Sequence, residues 1–83
     1  MVNAGLNNFI NEEKVVSVVD FTENKTAPIK RAINEGKKIG LVTDVTEGRP
    51  TNSVIFMENG YIILSSKSGQ TMAKRIKEAK KNA

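Results

Sequence analysis

An Asn-Gly pair between two short apolar runs is the feature that most restricts the fold of this chain. Asn59 and Gly60 follow an apolar run at residues 53–57 and precede another at residues 61–64. Both residue types tolerate the positive φ angles of a type I′ turn, which makes the pair the strongest short-range signal for a β-hairpin. We therefore expect two adjacent antiparallel strands joined by a turn at Asn59 and Gly60.

Apolar segments nearer the N-terminus predict further strands. Residues 15–19 are rich in β-branched valine, which favours a buried strand. Phe9 and Ile10 form a shorter apolar stretch, and the polar residues 11–13 fit a turn, so these two strands are candidates for a second hairpin. Residues 39–45 predict another buried strand.

Two segments carry helix signals. The first has Thr26 as a candidate N-cap, Pro28 in the first turn, where its missing N–H costs little, and Gly36 as its expected end. The second is expected over residues 68–81, capped by Ser68. The apolar stripe of this helix is thin and consists of Met72, Ile76 and Ala79. A neighbouring copy of the chain is a candidate to cover it. The order of elements predicts an α+β fold with a small, mostly antiparallel sheet, in one domain over residues 1–83 whose core spans about residues 3–78.

The composition argues against enzymatic chemistry. The 83-residue chain has no cysteine and no histidine, so it lacks disulfides, thiolate metal sites and the usual general base at neutral pH. Asp20, Asp44 and Glu47 are the only plausible carboxylate cluster at strand ends, and the alternative is that the two aspartates close turns. We expect no enzyme activity, no cofactor, no metal and no small-molecule substrate.

Length and apolar pattern also bear on location and assembly. Residues 1–10 lack the basic start and long apolar core of a signal peptide, and no apolar run is long enough to span a bilayer. A cytoplasmic protein without a membrane partner is expected. A domain of this size buries only about 60% of the surface of its unfolded chain, so association with further copies is a common source of stability.

Positive charge is concentrated near the C-terminus and in a few loops. Residues 67–83 hold six basic residues and one acidic residue, whereas residues 1–66 hold seven basic and eight acidic residues. Lys30 and Arg31 lie in the first turns of a helix, where they oppose its dipole, and Arg49 lies in a polar loop. These cations favour a polyanionic partner, but an ordinary solvated surface explains each of them as well.

The four aromatic residues lie in or beside apolar segments and are expected in the core: Phe9, Phe21, Phe56 and Tyr61. Recognition of single-stranded RNA relies on exposed aromatic side chains. This placement therefore favours double-stranded DNA over single-stranded RNA as the partner.

Three motifs together resemble one family. They read APIKR at residues 27–31, DVTEGR at residues 44–49 and ILS at residues 63–65. In this order and spacing, the chain is similar over residues 3–76 to the RemA-type extracellular matrix regulatory proteins, which are small bacterial DNA-binding activators of biofilm genes. The resemblance implies a LytTR-like fold, assembly into a homo-oligomeric ring and DNA bound along a basic rim.

The resemblance also implies roles for particular residues. Family DNA contacts map onto Lys14 and Arg49, and Pro28 matches a position that sets the geometry from loop to helix. The chain departs from the family pattern where Pro50 and Asn52 replace two arginines, which implies weaker or differently targeted binding. Asn52 can still donate a hydrogen bond to a phosphate or an adenine edge.

Together with the basic loops, the resemblance therefore implies a cytoplasmic, ring-shaped transcriptional regulator that binds duplex DNA with little base specificity. The DNA-binding residues expected are Lys14, Lys30, Arg31, Arg49 and Asn52. Two alternatives stay open, an RNA-binding ring and an oligomeric scaffold that binds no nucleic acid. Pro50 and Asn52 are the residues that favour the scaffold.

Overall fold

The computed structural model describes residues 1–22 and 25–82. Its helices are α1 (Ala27–Lys38) and α2 (Gly69–Lys81), and two short 3-10 turns span Glu12–Lys14 and Glu58–Gly60. The strands are β1 (Val2–Asn3), β2 (Phe9–Ile10), β3 (Val15–Asp20), β4 (Val42–Asp44), β5 (Ser53–Met57) and β6 (Ile62–Ser65). The predicted α+β class with two helices is confirmed.

The main sheet has the strand order β3-β5-β6-β4. The β3–β5 and β5–β6 pairs are antiparallel, whereas β6 and β4 are parallel, so the sheet is mostly antiparallel as expected. Within the described part of the chain, β3 and β4 are edge strands. Each therefore presents a row of backbone groups without a partner strand.

The predicted pairing of Phe9 and Ile10 with residues 15–19 is wrong. β2 pairs with β1, where Val2 faces Ile10, and β3 pairs with β5, where Val19 faces Val54. The cause is the 3-10 turn between β2 and β3, in which the Asn11 side chain accepts a hydrogen bond from the Glu13 amide at 3.0 Å. This turn directs the chain away from β2 and into the main sheet.

The sheet separates two apolar clusters because side chains alternate between the faces of a strand. On β5, Ile55 contacts the cluster that contains α2 and the β1–β2 hairpin, whereas Val54 contacts the cluster that contains α1. Both side chains are fully buried. Burial of an aliphatic side chain of this size contributes about 1.5–3 kcal/mol, so the central strand holds both layers together.

The helix α1 does not end at Gly36 as the sequence predicted. It continues to Lys38, and a Cβ at Gly36 would lie 2.9 Å from Cγ2 of Val42 and 3.1 Å from Cδ1 of Ile62. Gly36 therefore allows close packing of α1 on the sheet, and the left-handed residue comes later, at Gly40 with φ 74°. Thr26 occupies the N-cap position as predicted, but its side chain makes no capping hydrogen bond.

A strand does form within residues 39–45, as expected, but it is shorter and less buried than predicted. Ile39 lies just beyond α1 and is 70% exposed, and the strand β4 covers only Val42–Asp44. β4 is an edge strand with partly exposed side chains. For this reason the strand is less buried than the apolar run of residues 39–45 predicted.

The hairpin at Asn59 and Gly60 is confirmed. Both residues have positive φ, 67° and 82°, and the Met57 amide donates a hydrogen bond to the Tyr61 carbonyl at 2.8 Å. The register leaves a loop of three residues, Glu58–Gly60, in place of a two-residue turn. The left-handed conformations at Asn59 and Gly60 explain why these two residue types occur there.

The helix α2 begins as predicted. The Ser68 hydroxyl accepts a hydrogen bond from the Thr71 amide at 3.1 Å. Met72 and Ile76 are buried in the chain's own core, which corrects the expectation that a neighbouring copy covers this stripe. No helix in the described ranges is long and apolar enough to cross a membrane.

The aromatic residues do not all lie in the core. Phe21 and Phe56 pack against the α1-side cluster, as expected. Phe9 is 57% exposed and Tyr61 is 50% exposed, so the expectation is wrong for these two residues. Phe9 lies on the two-stranded β1–β2 hairpin, and Tyr61 follows the β5–β6 turn.

Candidate nucleic-acid interface

The loop between β4 and β5, residues 45–52, holds Arg49 at the surface. Val45 and Thr46 are buried and anchor its start. Glu47 and Gly48 have φ angles of 51° and 85°, and the Arg49 amide then donates a hydrogen bond to the Thr46 carbonyl at 3.1 Å. This tight left-handed turn places Arg49 in an exposed position.

A carboxylate at the end of β4 sets the start of this loop. Asp44 Oδ1 accepts hydrogen bonds from the Thr46 amide at 2.8 Å and from the Thr46 hydroxyl at 2.6 Å. The hydroxyl bond, followed by the amide bond and by the charge of Lys37, holds the pKa of Asp44 below its usual value. Asp20 closes an equivalent turn at the end of β3 through Thr22. Both aspartates thus have the turn-closing role that the sequence left open.

Asn52 is engaged inside the chain. Its side-chain amide donates a hydrogen bond to the Ser66 carbonyl at 2.9 Å. Its backbone amide donates to the Ser65 carbonyl at 2.8 Å, and its carbonyl accepts from the Phe21 amide at 2.9 Å. One N–H of Asn52 Nδ2 is therefore used within the chain, and a contact from Nδ2 to DNA would use its second N–H.

The helix α1 brings Lys30 close to this loop. Lys30 lines a cavity of about 250 Å³ together with Thr51 from the loop and Phe21 from the end of β3. Arg31 is exposed but does not line this cavity, and Pro28 occupies the first turn of α1 as predicted. The structure therefore groups Lys30 with the Arg49 loop and separates it from Arg31.

Lys14 lies at the other end of the sheet. It precedes Val15, which faces Met57 at the hairpin end of β5, whereas Asp20 faces Ser53 at the end nearest the Arg49 loop. Five residue steps along a strand correspond to about 17 Å. One subunit therefore does not bring Lys14 and Arg49 together.

Ion pairing distinguishes the candidate cations. In the described ranges, only two ion pairs form, one between the Met1 amino group and Glu12 and one between Lys14 and Glu58 at 3.6 Å. Both side chains of the Lys14 pair are more than half exposed, so its contribution to stability is small. Lys30, Arg31 and Arg49 take part in neither pair.

The basic helix α2 is only partly available to a partner. Arg75 donates a hydrogen bond from Nη1 to the Asn3 carbonyl at 2.8 Å and so ties α2 to β1. Other basic residues of α2 are exposed: Lys74, Lys77, Lys80 and Lys81. Arg75 therefore has a structural contact that its charge alone did not reveal.

Three polar residues around the cavity were not among the predicted site residues: Asn34, Lys37 and Thr51. Lys30, Asn34 and Lys37 are spaced four and three residues apart, which places them on one face of a helix. That spacing is visible in the sequence. The contribution of Thr51 is not, because it depends on how the loop packs against α1.

Comparisons with known proteins all point to one protein family. The family model described as RemA-like, "Extracellular matrix regulatory protein A-like", matches residues 1–76. A protein of Synechococcus elongatus is 36% identical over 76 residues, covering 92% of this chain and 84% of the relative. A Thermoanaerobacter protein is 38% identical over 80 residues, covering 96% and 80%. Both relatives are provisionally named regulatory proteins.

Proposed function

The chain belongs to the RemA-like family, as its three motifs predicted, and on that premise we propose that it is a cytoplasmic, non-enzymatic regulator of transcription that binds duplex DNA as a homo-oligomeric ring. The family and the names of its relatives support a regulatory role. The ring, the LytTR-like character of the fold and the DNA partner are parts of this proposal.

The observation that carries the proposal is the cationic end of the subunit. Arg49 and Lys30 are exposed on adjoining elements, and neither pairs with a carboxylate in the part of the chain that the structure describes. Unpaired cations on an exposed loop and a helix face suit a polyanion, because each phosphate contact releases counterions. Such contacts supply affinity and orientation but read little sequence.

Assembly is supported by surfaces that one subunit leaves uncovered. Val16, at an irregular point of the free edge strand β3, is 68% exposed, and it borders an apolar groove against Ala73 and Ile76 of α2. Tyr61 lies beside a second apolar hollow near Lys14. Contacts between two different patches join copies head to tail and give a ring when the rotation closes.

Assembly would also offset the weakness of each DNA contact. Pro50 provides no cation, and one N–H of Asn52 Nδ2 already donates to Ser66, so Arg49 is the one cation of residues 45–52. A ring repeats this contact around its rim, and linked weak contacts bind far more tightly than one. Duplex that follows the rim must bend, which makes DNA deformability a source of selectivity.

The direct test is anisotropy of a labelled duplex of about 30 base pairs, measured between 50 and 200 mM salt, with light scattering on the same samples. We expect an oligomer whose DNA affinity falls steeply with salt. A monomer, or an affinity that is flat across this range, contradicts the proposal.

An RNA-binding ring is a second candidate, because Phe9 and Tyr61 are exposed. Exposed aromatic rings stack on single-stranded bases with about 1–3 kcal/mol per base. Competition between the duplex and a single-stranded RNA of equal length separates the two functions. If RNA displaces the duplex at lower concentration, and Phe9→Ala or Tyr61→Ala abolishes that advantage, RNA is the partner.

A further inference from the structure

The cavity between α1 and the Arg49 loop is an open surface depression that combines lysine side chains with apolar groups. Lys30, Asn34 and Lys37 line it from one face of α1, and Thr51 lines it from the loop. Phe21 and the buried Ile33 complete its wall, and the Lys25 ammonium lies 5.8 Å from the centre of the Phe21 ring. Two lysines, Lys30 and Lys37, thus line one small depression.

The polar groups of this cavity are available to a ligand. Within the described ranges, no ion pair involves Lys30 or Lys37, and the side chains of Asn34 and Thr51 make no hydrogen bond to another residue. Among acidic residues, Asp44 interacts with the charge of Lys37, which contributes to lowering the pKa of Asp44. Asp44 Oδ1 accepts two hydrogen bonds from Thr46, and within the described ranges it forms no ion pair with Lys37, so the Lys37 ammonium stays available to an anion.

Size and chemistry select the ligand. The cavity measures about 250 Å³, below the roughly 300–1,000 Å³ of pockets that enclose a drug-sized molecule. Two ammonium groups, an amide and a hydroxyl supply several donors around one small space, which matches the acceptor oxygens of a tetrahedral anion. We propose that this cavity is a phosphate-binding site in which Lys30 and Lys37 neutralise the charge and Asn34 and Thr51 donate hydrogen bonds.

The phosphate has two sources that share this chemistry, a DNA backbone or a free phosphate group. The first rests on the proposed function and extends the DNA surface from Arg49 along α1 to Lys37. The second is independent of DNA and makes the cavity a site for a small phosphorylated ligand beside the loop.

The test compares two adjacent lysines. Lys37 lines the cavity, whereas Lys38, also exposed, does not, so Lys37→Gln and Lys38→Gln remove the same charge from neighbouring positions. Amide NMR spectra of both variants and of the unaltered protein are recorded while inorganic phosphate is added at constant ionic strength, with chloride as the reference anion. The same three proteins are then titrated into labelled duplex at several salt concentrations.

If free phosphate is the source, the amides of Phe21, Asn34 and Thr51 shift in a saturable manner in the unaltered protein and in Lys38→Gln, but not in Lys37→Gln. If backbone phosphate is the source, Lys37→Gln lowers the slope of log affinity against log salt by about 0.9 per contact, whereas Lys38→Gln leaves it unchanged. Equal behaviour of the two variants in both titrations overturns the proposed site.

The outcomes also separate this site from the proposed function. Phosphate shifts at the cavity in a protein that binds no duplex support the site and contradict DNA binding. Duplex binding with equal salt slopes in both variants and no phosphate shifts supports DNA binding and overturns the site. Because Lys37 is exposed, a dispersed spectrum is expected for every variant.

Discussion

Asp44 accepts both the backbone amide and the hydroxyl of Thr46 on one carboxylate oxygen, at 2.8 and 2.6 Å. These bonds fix the turn that leads from β4 into the Arg49 loop, since the carbonyl of Thr46 in turn accepts from the Arg49 amide. The position of Arg49, the main candidate DNA contact, thus depends on the ionised carboxylate of Asp44 at the end of β4.

This bond makes stability depend on pH. Because the pKa of Asp44 is lowered in the folded chain, its contribution is complete above the ordinary value of about 3.9 and is lost as pH falls through the folded pKa. Asp44→Asn keeps a carbonyl acceptor but cannot titrate. We expect urea unfolding from pH 7 to pH 2.5 to show a smaller loss of stability below about pH 4 in Asp44→Asn than in the unaltered protein. Asp20 and Glu12, whose pKa values are also lowered, contribute equally to the loss of stability at low pH in both proteins.

Gly69 allows α2 to start against the end of β3. A Cβ at this position would lie 2.7 Å from Cα of Asp20, and a backbone atom cannot move aside as a flexible side chain can. We expect Gly69→Ala to destabilise the fold by about 1–3 kcal/mol, the usual cost of overpacking, although alanine is the better helix former. Gln70→Ala, at the next and exposed position, is the control and should change the urea midpoint little. Equal midpoints for the two variants would show that α2 shifts freely on the sheet.

Arg75 links α2 to β1 through its bond to the Asn3 carbonyl. Arg75→Gln removes a charged donor from a partly buried acceptor, and bonds of this kind contribute about 1.5–3 kcal/mol. The exposed neighbour Lys74 carries the same charge without such a bond, so Lys74→Gln should be close to neutral. Thermal unfolding of the pair measures the difference, and a similar Tm for both variants would argue against a structural role for Arg75.

Val16 tests the proposed assembly. It is 68% exposed on the free edge strand β3, where a lysine disfavours pairing with another chain. We expect Val16→Lys to give smaller particles in light scattering while circular dichroism is unchanged. Gln70→Lys adds the same charge at an exposed position of α2 and should leave the particle size unchanged. Full assembly of Val16→Lys would place the interface elsewhere.

Local chemistry predicted the parts of this fold in which neighbouring residues decide the structure. The hairpin at Asn59 and Gly60 and the Ser68 cap followed from turn and cap preferences, and both are confirmed. Gly36 was misread because its role depends on Val42 and Ile62, which are distant in sequence. The same holds for the predicted pairing of residues 9–10 with residues 15–19, because these segments pair in two different sheets, with β1 and β5 respectively.

The candidate site shows the same division. The cationic residues could be read from the sequence, but their grouping could not. Lys30 adjoins the Arg49 loop, Lys14 lies at the opposite end of β3, and Asn52 is held by Ser66. These relations depend on strand register and loop packing, which no local pattern encodes. The roles of these residues in DNA binding stay predictions.

The most direct measurement of the central claim is the salt dependence of duplex binding in Arg49→Ala, with Lys38→Ala as a control of equal charge change. If Arg49 contacts phosphates around an assembled ring, its loss reduces the slope of log affinity against log salt by about 0.9 for each contact. Lys38→Ala keeps the original slope, and light scattering shows the same particle size for both. Equal slopes in the two variants, or dissociation of the Arg49→Ala oligomer, would contradict the account.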